Sequence, residues 1–222
     1  MEISQVELAA DIEVKEKDAL IVVDMQNDFL PGGALAVKDG DTIIRGINRI
    51  GALFSKNLII LTQDWHPPGH QSFASSHEGK KPFDLYETPG IGPVLWPDHC
   101  VQGTKGAEFS SELNTTMANL IIRKGYRAAI DSYSTFVEND RTTQTGLHAF
   151  LKGLKVSRVF LCGLALDYCV YFSAIDAKRY DFDVVFLLDL TKPVASPEDS
   201  VDNALRDMIN NRITFIHSEI LL

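Results

Sequence analysis

The sequence predicts an α/β fold of the doubly wound, parallel kind. Two observations lead there. Six short apolar runs recur along the chain without polar alternation, and stretches with helical spacing lie between several of them. A strand buried on both faces reads as a continuous Val/Ile/Leu run, whereas a half-exposed strand alternates. Strands that alternate with helices imply parallel crossovers and helices on both sides of one sheet.

The elements follow in order. The first run is Ala19–Val23 (ALIVV), and after it Ile43, Ile44, Ile47, Ile50 and Phe54 form one helical stripe. The second run is Leu58–Leu61. From about Thr62 to Asn119 there is then no convincing strand and no long amphipathic helix, and the segment is rich in Gly, Pro, His and aromatic residues, among them Trp65, Phe73, Phe83, Tyr86, Trp96 and Phe109. Long irregular segments in compact domains are usually functional or disordered, and this aromatic content favours an ordered, functional one. The third run, Leu120–Ile122, precedes a stripe of Leu147, Phe150, Leu151 and Leu154. The fourth and fifth runs are Val159–Cys162 and Val184–Leu188. A last stripe (Val201, Leu205, Met208, Ile209) leads to the sixth run, Ile213–Ile216. That last helix is expected to open at Ser196 as N-cap, with Pro197 in the first helical position and Asp199 at the positive end.

Composition bounds the function. The 222 residues suit one domain, taken here as residues 1–222 with the long segment at about 62–119 inside it. A net charge of -9 and no Lys/Arg stripe argue against a nucleic-acid partner. The polar, acidic start lacks the pattern of a secretory or transit leader. No apolar stretch approaches the roughly 20 residues that span a bilayer. Three cysteines, Cys100, Cys162 and Cys169, fit free thiols in a reducing cytoplasm.

In open parallel sheets, ligands sit beyond the carboxyl ends of the strands. The polar residues that follow the first four runs are Asp24, Asp64, Lys124 and Cys169. Cys162 lies inside an apolar run and reads as core, and Cys100 as structural. Cys169 follows a strand and opens the next helical stretch, where a helix start and a nearby Lys lower a thiol's pKa. Asp24, Lys124 and Cys169 together are the parts of an activated nucleophile: a proton acceptor, a stabilising cation and a thiol beside backbone N–H donors for an oxyanion. Asp64 and His66, two apart in an extended segment, point the same way and can share a cation. His70 and His99 lie in the same segment. Oxygen and imidazole donors suit Zn, Fe, Mn or a similar divalent ion. His77, His148 and His217 read as structural.

The blocks VVDMQNDFLPGGAL, TQDWHPPGHQSF, WPDHCVQGTKGAEF, RKG and CGLALDYCV, spread from about residue 20 to 175, resemble the nicotinamidase branch of the isochorismatase-like cysteine hydrolases. The resemblance implies a three-layer α/β/α fold around a six-stranded parallel sheet. It implies hydrolysis of nicotinamide to nicotinic acid and ammonia through a thioester, in cytoplasmic NAD salvage. It makes Asp24, Lys124 and Cys169 the triad, and Asp64, His66 and His99 the ligands of a divalent metal, zinc first, with His70 a further candidate. It gives a cis bond before Ala165, an oxyanion hole of the Ala165 and Cys169 N–H groups, and aromatic walls at Phe29 and Trp96. One departure is Leu166, where the family often carries Thr. Homo-oligomerisation is left open. Other amidohydrolases of the superfamily, acting on a small carboxamide or ureido group, would share the triad but are disfavoured by the metal set and aromatic pocket. Isochorismatases typically lack the nucleophilic Cys, and a non-catalytic binder would not need an intact triad.

Overall fold

The structure is a computed structural model, and it describes residues 5–54 and 58–222. All six predicted strands form one parallel sheet in the order β3-β2-β1-β4-β5-β6. They are β1 (Asp18–Val23), β2 (Leu58–Asp64), β3 (Leu120–Lys124), β4 (Arg158–Leu164), β5 (Asp183–Lys192) and β6 (Thr214–Ile216). β1, which lies at the middle of the sheet, is buried along its whole length, and β2 and β4 are buried beyond their first residue, as continuous apolar runs require. β3 differs from the expectation. It is an edge strand whose outer residues alternate in exposure, and Ile121 faces solvent.

The stripes became helices with one face inward. In α1 (Ile44–Leu53) the residues Ile44, Ile47 and Ile50 are buried, and Ile43 and Phe54 extend the stripe at either end. Phe54 meets Phe160 of β4 edge-on, with ring centroids 5.1 Å apart. Each such side chain taken out of water contributes about 1.5–3 kcal/mol. In α2 (Leu147–Gly153) Leu147 and Leu151 face the core while Phe150 is partly exposed. Helix α3 (Tyr171–Arg179) is buried through its middle, Ser173–Ala177. Helix α4 (Ser200–Asn210) starts three residues later than expected, with Asp199 as N-cap. Ser196 and Pro197 belong instead to a turn: the Ser196 carbonyl accepts from the Tyr168 hydroxyl, and the Ser196–Pro197 bond is cis. Asp167 holds this turn by accepting from the N–H groups of Val194 and Ala195 and from the Ser200 hydroxyl.

The segment between β2 and β3 carries only short 3-10 turns, in keeping with the sequence. Strand order reverses between β1 and β4, the position where open α/β sheets leave a crevice. Gly163 makes the two strands meet closely there. Its φ is +108°, and a Cβ would fall 2.1 Å from the Val23 carbonyl oxygen.

Candidate active site

The carboxyl ends of β1, β2, β3 and β4 deliver Asp24, Asp64, Lys124 and Cys169 to that crevice. Lys124 ends the edge strand, fully buried, and its ammonium is the hub. Its Nζ lies 2.8 Å from Asp24 Oδ2 and 2.6 Å from Asp64 Oδ1. It donates to the Ser132 carbonyl at 2.8 Å and toward Cys169 Sγ at 3.3 Å. Burial opposes its charge, but Asp24 and Asp64 outweigh it and raise its pKa well above the ordinary value, so the ammonium persists.

Asp24 is fully buried at a left-handed backbone position (φ +47°) just beyond β1. Thr62 on β2 holds it twice: the threonine hydroxyl donates to Asp24 Oδ1 at 2.6 Å and accepts from the Asp24 N–H at 3.2 Å. Oδ2 lies beside Lys124 but receives no aligned hydrogen bond. Burial raises the Asp24 carboxyl pKa, against the pull of Lys124. Burial also pushes Asp64 up, but Lys124, His66 and His99 together hold it well below the carboxylate range. Of the two carboxylates on Lys124, Asp64 therefore keeps its charge more firmly.

Cys169 sits in a π-helical turn, Leu166–Val170, between β4 and α3. The Ser173 hydroxyl caps the Cys169 carbonyl at 2.6 Å and accepts from the Thr135 N–H. The Leu164–Ala165 bond is cis. The expected depression of the thiol pKa is not found. Burial raises it well above the usual value, assisted by Asp24 and Asp64, and Lys124 only partly offsets them. The resting thiol keeps its proton and needs a base. One ligating atom each from Asp24, Asp64 and Cys169 lies within 4.8 Å of the others, so a carboxylate is at hand.

Next to this group, Asp64 Oδ2 faces His66 Nε2 at 3.6 Å and His99 Nε2 at 3.9 Å. His66 Nδ1 is 2.8 Å from the Gly125 carbonyl and His99 Nδ1 is 2.8 Å from the Pro97 carbonyl. A carbonyl only accepts, so each Nδ1 carries the proton and each Nε2 is left a lone pair. Gly125 permits the first contact, since a Cβ there would fall 2.5 Å from the His66 ring. The facing atoms are too far apart for hydrogen bonds, yet close enough to share an ion held at about 2.0–2.2 Å. Burial, then His66, pushes His99 down to about 4, which keeps it neutral. Burial also lowers His66, but the Asp64 carboxylate overrides it and raises its pKa, so a proton competes with a metal ion for Nε2. The donor set fits a divalent cation.

His70 is packed against His66, with ring centroids 4.4 Å apart. Its Nδ1 accepts from the Ser72 N–H at 3.1 Å and its Nε2 lies 3.3 Å from the Ile130 carbonyl, so both nitrogens have protein partners. It falls outside the Asp64, His66 and His99 group, but its ligand atoms cluster with those of His66 and Asp131. Cys162 and Cys100 are buried in the core cluster, the one inside β4 and the other beside the site at φ +47°.

A small, narrow cleft opens onto Cys169. Phe29, Trp96 and Ala165 line it, as does His99. So do Tyr133, Tyr168 and Asp131, which the sequence reading passed over. Trp96 Nε1 donates to the Tyr133 hydroxyl at 3.0 Å, which donates in turn to the Gly92 carbonyl. Trp96 therefore shows the cleft only its ring. The DSY run at 131–133 directly after the loop that follows β3 was the available signal, since it places a carboxylate and a phenol near a strand end.

The arrangement defines a class: a cysteine hydrolase on a doubly wound sheet. The Isochorismatase domain family matches residues 18–219. A nicotinamidase of Acinetobacter baylyi is 46% identical over 204 residues, 92% of this chain and 94% of its own. Among solved structures, an Acinetobacter baumanii nicotinamidase and pyrazinamidase superposes with a TM-score of 0.90 at 46% identity, covering 94% of this chain and 99% of that one. The yeast nicotinamidase bound to the inhibitor nicotinaldehyde gives 0.81 at 31%, covering 90% and 99%. A Pyrococcus horikoshii pyrazinamidase in complex with zinc gives 0.72 at 39%, also covering 90% and 99%. The chain belongs to the nicotinamidases of the isochorismatase family.

Proposed function

We propose that this amidohydrolase cleaves the carboxamide of nicotinamide to give nicotinic acid and ammonia, a step of NAD salvage. The observation that carries the reading is the shared Lys124 hub, which joins an Asp24–Cys169 pair to the Asp64, His66 and His99 donor set within one small aromatic cleft. Asp24 Oδ2 takes the proton from Cys169 Sγ, and the thiolate attacks the carboxamide carbon. The N–H groups of Ala165 and Cys169 receive the oxyanion. Asp24 returns its proton to the departing nitrogen, ammonia leaves, and a thioester remains. Asp24 then accepts a proton from the water that attacks the thioester; the C–S bond breaks, nicotinic acid is released, and Asp24 returns the proton to Sγ. Lys124 keeps its charge throughout and holds Asp24 in place.

Asp64, His66 and His99 would hold a divalent ion, zinc by analogy with the Pyrococcus relative. Bound there, it supplies an electron-pair acceptor for the pyridine nitrogen. Phe29 and Trp96 stack on the ring and select a flat ligand. His70, with both ring nitrogens engaged, is assigned to support His66. The nicotinaldehyde bound by the yeast relative has the same pyridine ring and a carbonyl at the same position as nicotinamide.

The test is ammonia release from nicotinamide, pyrazinamide and benzamide. Benzamide keeps the shape and the carboxamide but has no ring nitrogen. A site built on a polar contact rejects the analogue lacking it far more strongly than a site built on apolar fit, so kcat/KM for benzamide is expected to be lower by about two orders of magnitude or more. Comparable values for all three amides would remove the ring nitrogen from recognition, and no turnover of any would remove the substrate assignment.

A further inference from the structure

We infer that Thr62 is a positioning residue which decides which oxygen of Asp24 acts as the base. The inference rests on the proposed reaction for its kinetic consequence. Thr62 lies on β2 two residues before Asp64, fully buried, and pairs in register with Ile122 of β3. Its hydroxyl has one hydrogen to give and gives it to Asp24 Oδ1 at 2.6 Å. Its oxygen in turn receives the Asp24 N–H at 3.2 Å, so one side chain fixes both the carboxylate rotamer and the left-handed backbone position.

This leaves the two carboxylate oxygens unequal. Oδ1 is committed to Thr62. Oδ2 is buried, stands 2.8 Å from the Lys124 ammonium and receives no aligned hydrogen bond. Each oxygen carries two lone pairs; one on Oδ1 is taken by Thr62 and none on Oδ2 accepts an aligned hydrogen bond, so the Sγ proton is assigned to Oδ2. The proton moves from Sγ to Oδ2 and later from Oδ2 to the leaving ammonia, while the Thr62 hydrogen stays on Oγ1. Without the hydroxyl, Asp24 keeps only its contact with Lys124 and can turn about it, presenting Oδ2 away from the thiol.

Thr62→Val keeps the volume and removes the hydroxyl, and Thr62→Ser keeps the hydroxyl and removes a methyl. A side chain that merely filled space would tolerate Val better than Ser; a positioning hydroxyl gives the reverse order. Misplacement of a reacting group by about an ångström costs on the order of 10²-fold. Thr62→Val in the metal-loaded protein is therefore expected to lower kcat on nicotinamide by roughly 10–100-fold with KM unchanged. Alkylation of Cys169 by iodoacetamide, followed by mass spectrometry of its peptide, should slow in parallel. Thr62→Ser should restore both. If the Val variant does not fold, Thr62→Ala gives the same comparison with Ser. Wild-type kcat and alkylation in the Val or Ala variant, or a Ser variant as slow as either, overturns the inference. Alkylation that depends on Thr62 in a protein that leaves nicotinamide intact supports it and discards the substrate alone.

Discussion

A fully buried ammonium is tolerable only when opposite charges and carbonyls surround it, and Lys124 has two carboxylates, a carbonyl and a thiol within 3.3 Å. Removing either reacting partner on this hub separates the assigned roles. Cys169→Ala is expected to abolish ammonia release while ligand binding and folding persist, because only the attacking atom is lost. Cys162→Ala, by contrast, empties space inside β4 and should lower stability more than rate. Turnover by the Cys169 variant would end the thioester mechanism. Asp24→Asn keeps the shape without the proton acceptor and is expected to cost about 10²–10⁴-fold in kcat, and a value within a few-fold of wild type would leave Asp24 as a turn residue. The strand-end residues Asp24, Asp64, Lys124 and Cys169 were legible because each lies a short way beyond the end of an apolar run. Tyr133, Tyr168 and Asp131 were not, because they project from stretches where no periodicity says which side chains face inward. The thiol pKa was misjudged for a related reason: helix start and lysine are visible in sequence, but the degree of burial that outweighs them is not.

At the scale of elements, periodicity located all six strands and the α1, α2 and α4 stripes, and erred where tertiary contacts override local preference. Ser-Pro-Glu-Asp has the residues of a helix start, yet Tyr168 and Asp167 draw that segment into a turn and α4 begins at Ser200. The run at β3 looked like its neighbours because three apolar residues cannot reveal that the strand lies at an edge. Where the stripe was read correctly its energetics follow. Ile47 is wholly enclosed between α1 and the sheet. Ile47→Ala should cost about 2–5 kcal/mol, read as a lower midpoint in urea at unchanged slope. Loss of less than about 1 kcal/mol would mean the face can collapse around the gap.

For the whole molecule, the strand order matters more than any one motif. Reversal between β1 and β4 opens the crevice, and four neighbouring strand ends supply its groups. The donor set of Asp64, His66 and His99 joins β2 to the irregular segment before β3, so an ion held there cross-links parts far apart in sequence. A ligand that binds only the folded state stabilises it by mass action. Chelation is therefore expected to lower both activity and Tm, and refilling with zinc to restore both. A metal-stripped protein with full activity and an unchanged Tm would contradict the assignment. No helix among the described residues is long and apolar enough to cross a membrane.

The chain has two tryptophans, and their surroundings make it an optical instrument. Trp96 is a buried wall of the cleft, its indole N–H tied to Tyr133 and its ring edge-on to Tyr168. Trp65 is half-buried outside the cleft lining, with the Arg123 guanidinium 3.8 Å above its ring. A Trp65→Phe protein would emit from Trp96 alone. An electron-poor pyridine stacked on that indole should quench it, so titration with nicotinic acid would trace occupancy in real time, without an enzymatic readout. Stopped-flow mixing would then separate ligand entry from bond cleavage. An emission spectrum indifferent to saturating nicotinic acid would move the ring away from Trp96.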